Sequence, residues 1–267
     1  MTKPKLKKLV TLARNGAIAT VTIDTGDGRN ALSRRLIGEL AEIARSFAND
    51  LKTQVVILTG KGAFTAGFDL KDPSLDKMSR VGLLERRRFL QLGPDLCDAW
   101  HNIQQVTICA IESYCIGGGV ALAVACDFRI VGESAVMRLP EIGLGMNMSW
   151  HAVPRLVSLI GPARAKRFII FGEALGGQDM LISGLADEVS ADGTAIAAAI
   201  RWARKIAKLP PNAVRMTKQS INAATGVLHH VASFMDLDQY ALTTTSEDFK
   251  EGIKAFREKR DPKFTGR

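Results

Sequence analysis

Residues 117–119 are three consecutive glycines, standing between the apolar run VTICAI and the alanine-rich GVALAVACD. Glycine admits backbone angles closed to other residues and lets a ligand approach main-chain N–H groups. A glycine run between a strand and a helix is therefore a candidate anion or oxyanion site. A second small-residue loop, Ala66-Gly67-Phe68-Asp69, also follows a buried apolar run. Two strand ends of this kind could each turn one N–H onto the same carbonyl oxygen, each donor contributing about 3 kcal/mol to a reaction that builds charge there. Close packing of helix on sheet accounts for a glycine triplet equally well. The nucleotide-binding motifs fail: GxGxxG counted from Gly117 meets Leu122 at its last position, and GxxxxGK[ST] is absent. From the triplet onward no side chain suited to proton transfer appears until Asp127, and Glu141 follows in the loop LPEIGLG.

These loops need elements to hold them. The segment 17–24 alternates as a half-buried strand, with NGA before it as the turn of a hairpin from LVTLAR. Leu36, Leu40, Ile43 and Phe47 recur at helical intervals and Ser33 can cap them, predicting an amphipathic helix over 33–49. Apolar runs at 54–60 and 106–113 predict buried strands, each leading into one of the two loops. Between them lie a polar stretch through Arg80 with no clear period and a basic helix to about Gln104. FRIVG and AVMRL are short strands, and 185–190 is one more. Beyond Thr194 the pattern is helical, over 194–208, 212–224, 227–244 and 247–258. One soft boundary falls near residue 200, dividing an α/β core (1–200) from a helical C-terminal region (201–267).

The chain has 267 residues, 46% of them hydrophobic, enough for one globular core. No run approaches the eighteen or so apolar residues of a spanning helix, and the start lacks an apolar signal core, which predicts a cytoplasmic address. The cysteines at 97, 109, 115 and 126 form no CxxC pair and read as buried reduced thiols, with no metal site. A net charge of +9 permits an anionic partner, but the basic residues are dispersed except at 3–8, 86–88 and 250–267. Solvated faces explain that pattern first, a phosphate-bearing ligand second and nucleic acid last.

The ordered set AFTAGFDL, CIGGGVALAVACD and LPEIGLG, opened near GRNALS and closed by EDFKEGIKAFREKRDPKF, resembles the enoyl-CoA hydratase/isomerase (crotonase) superfamily over nearly the whole chain. The resemblance implies an α/β fold, a crotonase-type spiral of repeated ββα units with a helical C-terminal trimerisation region, assembling as a homotrimer or a dimer of trimers. It implies an acyl-CoA thioester as substrate, the coenzyme A arriving on the substrate and no separate cofactor. In such proteins the oxyanion N–H groups come from the positions occupied here by Phe68 and Gly118, with Ala66, Gly67, Asp69 and Gly117 beside them in the substrate site. Arg29 and Lys71 are candidates for the CoA phosphates, and Phe256 and Lys259 for the adenine. Asp127 matches a common structural position.

Family hydratases use two glutamates, and the positions that match them are Ala121 and Glu141. With the first carboxylate missing, Glu141 remains as a single acid/base, an arrangement suited to moving one proton between two carbons of an enolate. The favoured reaction is accordingly double-bond isomerisation in an enoyl-CoA. The alternative is hydration with a non-standard water site, and an alternative of another class is a non-catalytic CoA-binding or RNA-binding homologue. A second departure is MNMSWHAVPRL, where many members are glycine-rich. Ser149 stands where dienoyl isomerases of the family carry an aspartate, which argues against that chemistry. Trp150 is a candidate acyl-pocket wall, and His151 is a candidate proton relay or a structural residue.

Overall fold

The computed structural model describes residues 8–75 and 80–267. Residues 3–7 of the basic arm and 76–79 of the polar stretch lie outside them. Strands β1 (Val10–Asn15) and β2 (Ile18–Ile23) form the expected antiparallel hairpin, with Gly16 at φ +59° in its turn. The chain then adds β3 (Val55–Gly60), β4 (Val106–Ile111), β6 (Phe128–Gly132) and β9 (Glu188–Ser190), all parallel, giving a six-stranded sheet in the order β1-β2-β3-β4-β6-β9.

The parallel strands read as unbroken apolar runs because both faces are covered. Val56, Leu58, Cys109 and Ile111 point into the larger core, under helices α1 (Arg34–Ser46), α2 (Leu83–Leu90) and α3 (Leu92–His101), the first and last of which supply its buried side chains. Val55, Ile57, Val106, Ile108 and Ala110 point the other way, onto the alanine face of a later helix. Ser33 caps α1 as predicted, its hydroxyl accepting from the Leu36 N–H at 3.3 Å. The basic helix expected to run unbroken to about residue 104 is divided at Gln91 into α2 and α3.

The second sheet is small and places the site. It contains β5 (Tyr114–Ile116), β7 (Val136–Arg138) and β8 (Leu175–Gly176), and two single bridges, Leu32 with Phe68 and Thr65 with Cys115, prolong it. Successive turns of the chain thus run strand, short strand or bridge, then helix: β2, Leu32, α1; β3, the 65–68 loop, α2 and α3; β4, β5, α4 (Gly118–Ala123); β6, β7, α5 (Ala152–Phe171). This is the spiral of ββα units that the resemblance implied. Helix α5 is broken by Gly161, at φ +75°, ahead of Pro162.

After α6 (Gly177–Ser183) and β9 come helices only, among the described residues: α7 (Ala195–Ile206), α8 (Pro211–Gly226), α9 (His229–Ser233), α10 (Asp236–Thr243) and α11 (Glu247–Glu258). The residue-200 boundary lies inside α7, whose Ala195, Ala198, Ala199 and Ala203 pack on the sheet and whose first N–H, of Ala195, donates to Glu112 just past β4 at 2.8 Å. The single helix expected over 227–244 is two, because Asp236 turns inward at the break and accepts the His151 N–H at 2.9 Å. Strand β9 is three residues long rather than six, since the N–H groups of Leu185 and Ala186 close the end of α6 on the Met180 carbonyl.

Candidate active site

The two glycine-bearing loops are neighbours in the second sheet. Thr65 pairs with Cys115 in parallel register, and three residues further along each chain stand Phe68 and Gly118. The contact is close: a Cβ on Gly67, which sits at φ +83°, would lie 2.5 Å from the Ile116 carbonyl oxygen. Glycine at 67 is thus required twice, by its backbone angle and by its neighbour. Gly117, at φ +55°, donates its N–H to the Arg138 carbonyl on β7 at 2.9 Å and opens the short helix α4. The N–H groups of Leu32 and Asp69 are taken up in the Leu32–Phe68 bridge. Those of Phe68 and Gly118 donate to no protein acceptor among the described residues, and both residues line the same cavity.

That cavity encloses about 320 Å³. Beyond the two loops its wall is largely apolar, with Ile37, Leu70, Leu92 and Met148 among the contributors. Glu141 enters it from the residue before a 3₁₀ turn (Ile142–Leu144), and the N–H groups of Leu144 and Met146 fold back on the Glu141 carbonyl. A Cβ on Gly117 would lie 2.7 Å from Glu141 Oε1, so the carboxyl group stands one residue from the Gly118 amide. Its Oε2 is sealed from solvent and has no hydrogen-bond partner among the described residues. Burial pushes the Glu141 carboxyl up to about 7, with its own N–H working weakly against the shift. An unpaired carboxyl near neutrality beside two free amides is equipped to take and return a proton.

The turn that carries Glu141 is set from the far end of the chain. Gly145, at φ +76°, lies against the backbone of Asp248, and Gly252 lies against that of Leu144; a Cβ on either would come within 2.6 Å of main-chain atoms. Helix α11 therefore rests directly on the Glu141 turn. Ala121 is fully buried in α4, where no water could be held by its side chain.

Of the predicted site residues, Ala66, Gly67, Phe68, Gly117, Gly118, Glu141, Trp150 and Phe256 line the cavity. Asp69, Arg29, Lys71 and Lys259 do not. The Asp69 carboxylate accepts the Lys71 N–H at 3.0 Å within its own turn, Arg29 is exposed and pairs with Asp27, and Lys259 caps α11 at φ +54°. His151 is not on the wall either: its Nδ1 lies 3.0 and 3.1 Å from the two Asp98 oxygens, which favours the structural of its two readings. Asp127 is structural as expected, bound by the Thr107 N–H and hydroxyl and by Lys218 Nζ at 2.6 Å. All four cysteines are buried and unbonded, and burial pushes the Cys97 thiol up to about 12. No group of His, Cys, Asp and Glu able to hold a metal ion occurs among the described residues.

Tyr240 was missed. It comes from α10 to the cavity wall, and burial, followed by the charge of Glu141, pushes its phenol up to about 12. The available signal was its rarity, one of two tyrosines in the chain, on the same face as Leu237.

A spiral of ββα units whose second strands present two free amides and one buried carboxyl to a common cavity defines the crotonase class. The sequence profile described as Enoyl-CoA hydratase/isomerase matches residues 13–267, and the chain belongs to that family. Among relatives, the short-chain-enoyl-CoA hydratase of Clostridium acetobutylicum is 30% identical over 94% of this chain and 95% of its own. The human enoyl-CoA hydratase domain-containing protein 2, mitochondrial, is 34% identical over 94% of this chain and 86% of its own. The crystal structure of carnitinyl-CoA hydratase from Mycobacterium avium superposes with a TM-score of 0.85 at 30% identity, covering 98% of this chain and all of that one.

Proposed function

We propose that this crotonase-superfamily enzyme moves the double bond of a 3-enoyl-CoA to the 2-position, with Glu141 as the only acid/base. The Glu141 carboxylate takes a proton from C2. The electron pair left behind delocalises onto the thioester oxygen and C4, where the N–H groups of Phe68 and Gly118 hold the oxygen as the dienolate forms. The same carboxyl group then returns the proton to C4. No atom is gained or lost, so one proton carrier is sufficient. The observation that carries this reading is the solitary Glu141 carboxyl, its Oε2 buried and unpartnered, with alanine at 121 in place of a second acid.

Hydration is the second reading, favoured by the names of relatives such as the short-chain-enoyl-CoA hydratase and the 2,3-dehydroadipyl-CoA hydratase of Escherichia coli. It requires another group to hold the water, for which the Tyr240 hydroxyl on the same wall is the candidate. Incubation with 3-butenoyl-CoA and crotonyl-CoA, with the esters resolved by chromatography before their masses are read, separates the two. Isomerisation yields a product of unchanged mass from the first ester, whereas a gain of one water on the second, at the faster rate, replaces the isomerase reading with the hydratase one.

The same reading includes assembly as a trimer or dimer of trimers. It is supported by the apolar side chains that the C-terminal helices leave exposed, among them Ile221, Val227, Leu228, Val231 and Phe234. No helix among the described residues is long and apolar enough to cross a membrane. A cytoplasmic address is part of the same proposal.

A further inference from the structure

Trp150 and His151 are consecutive non-glycine residues in the left-handed region, at φ +63° and +56°. Each such residue costs about 1–3 kcal/mol and persists only where its surroundings over-determine it. Here they do. The His151 N–H donates to Asp236 Oδ2 at 2.9 Å, and its ring lies on Asp98. Arg155 donates both to Asp98 (2.8 Å) and to the His151 carbonyl (3.1 Å). Burial works against the charge of Asp98, but the hydrogen bonds from His151 and Arg155 outweigh it and hold that carboxyl below its usual range.

What this brace positions is the indole. One face of Trp150 covers Gly93 of α3, and its benzo edge lies on Gly118, where a Cβ would come within 2.7 Å of the ring. The ring also meets Phe68 edge to face, with centroids 6.3 Å apart at 81°. Trp150 therefore touches both residues that supply the oxyanion amides, and it lines the cavity they open into. Because C2 is bonded to the carbonyl carbon, a thioester oxygen held at the Gly118 N–H keeps the start of the acyl chain next to the residue that the ring edge covers.

We infer that Trp150 is the specificity-determining residue of the site, held by the Asp98–His151–Arg155–Asp236 brace so that its indole admits acyl groups unbranched at C2 and C3 and excludes those carrying a methyl there. The inference rests on the acyl-CoA reading above and deepens it. A rigid aromatic wall rejects one added methyl by roughly tenfold or more, whereas a wall further along the chain would select by length.

The test is titration calorimetry of butyryl-CoA and 2-methylbutyryl-CoA against wild type, Trp150→Ala and Trp150→Phe, with turnover of the linear and 2-methyl-branched enoyl esters measured in parallel. The ratio of branched to linear affinity is expected to rise at least tenfold in Trp150→Ala and by less in Trp150→Phe, which keeps a ring in the slot and decides the matter if the alanine variant does not fold. An unchanged ratio in the folded variants, or wild type that binds both esters equally, overturns the inference. Binding without turnover in wild type overturns the enzymatic reading and leaves the affinity ratio to decide this one.

Discussion

At the scale of single residues, the proposed chemistry rests on one carboxyl group, whose burial has two measurable consequences. Glu141→Gln removes the proton carrier while keeping the shape, and is expected to lower kcat/KM by about 10²–10⁴-fold with little change in acyl-CoA affinity. Because proton abstraction needs the ionised form, and burial raises the Glu141 carboxyl to about 7, wild-type kcat/KM is expected to rise with pH through that value and then level. The same shift bears on stability with the opposite sign. A carboxyl whose folded pKa lies above its ordinary 4.5 favours the folded state below 4.5, and that contribution is lost as pH rises through about 7. Glu141→Gln is thus expected to be more stable than wild type at pH 8.5, by up to about 3 kcal/mol, and nearly equal to it at pH 4.5. Thermal unfolding at the two pH values checks it; equal differences at both would mean that Glu141 is solvated.

At the scale of elements, the site depends on contacts between pieces far apart in the chain. The strand ends of the 65–68 loop and of β5 meet through one parallel bridge, and α11 presses Gly252 against the turn that carries Glu141. Gly252→Ala places a Cβ within 2.6 Å of the Leu144 backbone and must move either the helix or the turn. A loss of about 1–3 kcal/mol is expected, together with a fall in kcat larger than any change in KM; normal kcat would show that the turn holds its place without α11. This is also where the sequence was least legible. The long strands and α1 follow from periodicity because each buries whole faces. β5 spans three residues and the Leu32 and Thr65 pairings one each, too few for any period to show. The break between α9 and α10 depends on Asp236 reaching His151, eighty-five residues away. That Phe68, Gly118 and Glu141 share one cavity was legible in the motifs their loops carry. The cavity contribution of Tyr240 was not, since its place on the Leu237 face of α10 says that this face turns inward but not what it meets there.

At the scale of the whole molecule, the helical end must be fastened to the spiral for α10 and α11 to reach the site. Lys218 of α8 is buried, and donates to the Gln105 carbonyl at 2.8 Å and to Asp127 at 2.6 Å, just ahead of β6. Lys218→Met leaves that carboxylate without its cation. Breaking a buried pair costs about 3 kcal/mol, and a fall in Tm of roughly 5 °C or more is expected; a shift under about 1 °C would show that α8 is held by its apolar contacts alone. The family to which the chain belongs is defined at this scale, while the proposed reaction rests on the few residues at 68, 118, 121 and 141.

The most direct test of those residues is deuterium uptake. Wild type and Glu141→Gln are incubated with 3-butenoyl-CoA in D₂O, and the recovered ester is examined by NMR. Wild type is predicted to yield crotonyl-CoA bearing hydrogen or deuterium exchanged only at C2 and C4, with no exchange above background in the variant. Label appearing in both proteins at equal rates, or a 3-hydroxy ester as the main product of wild type without exchange at C4, would contradict a single Glu141 carboxyl passing the proton between two carbons.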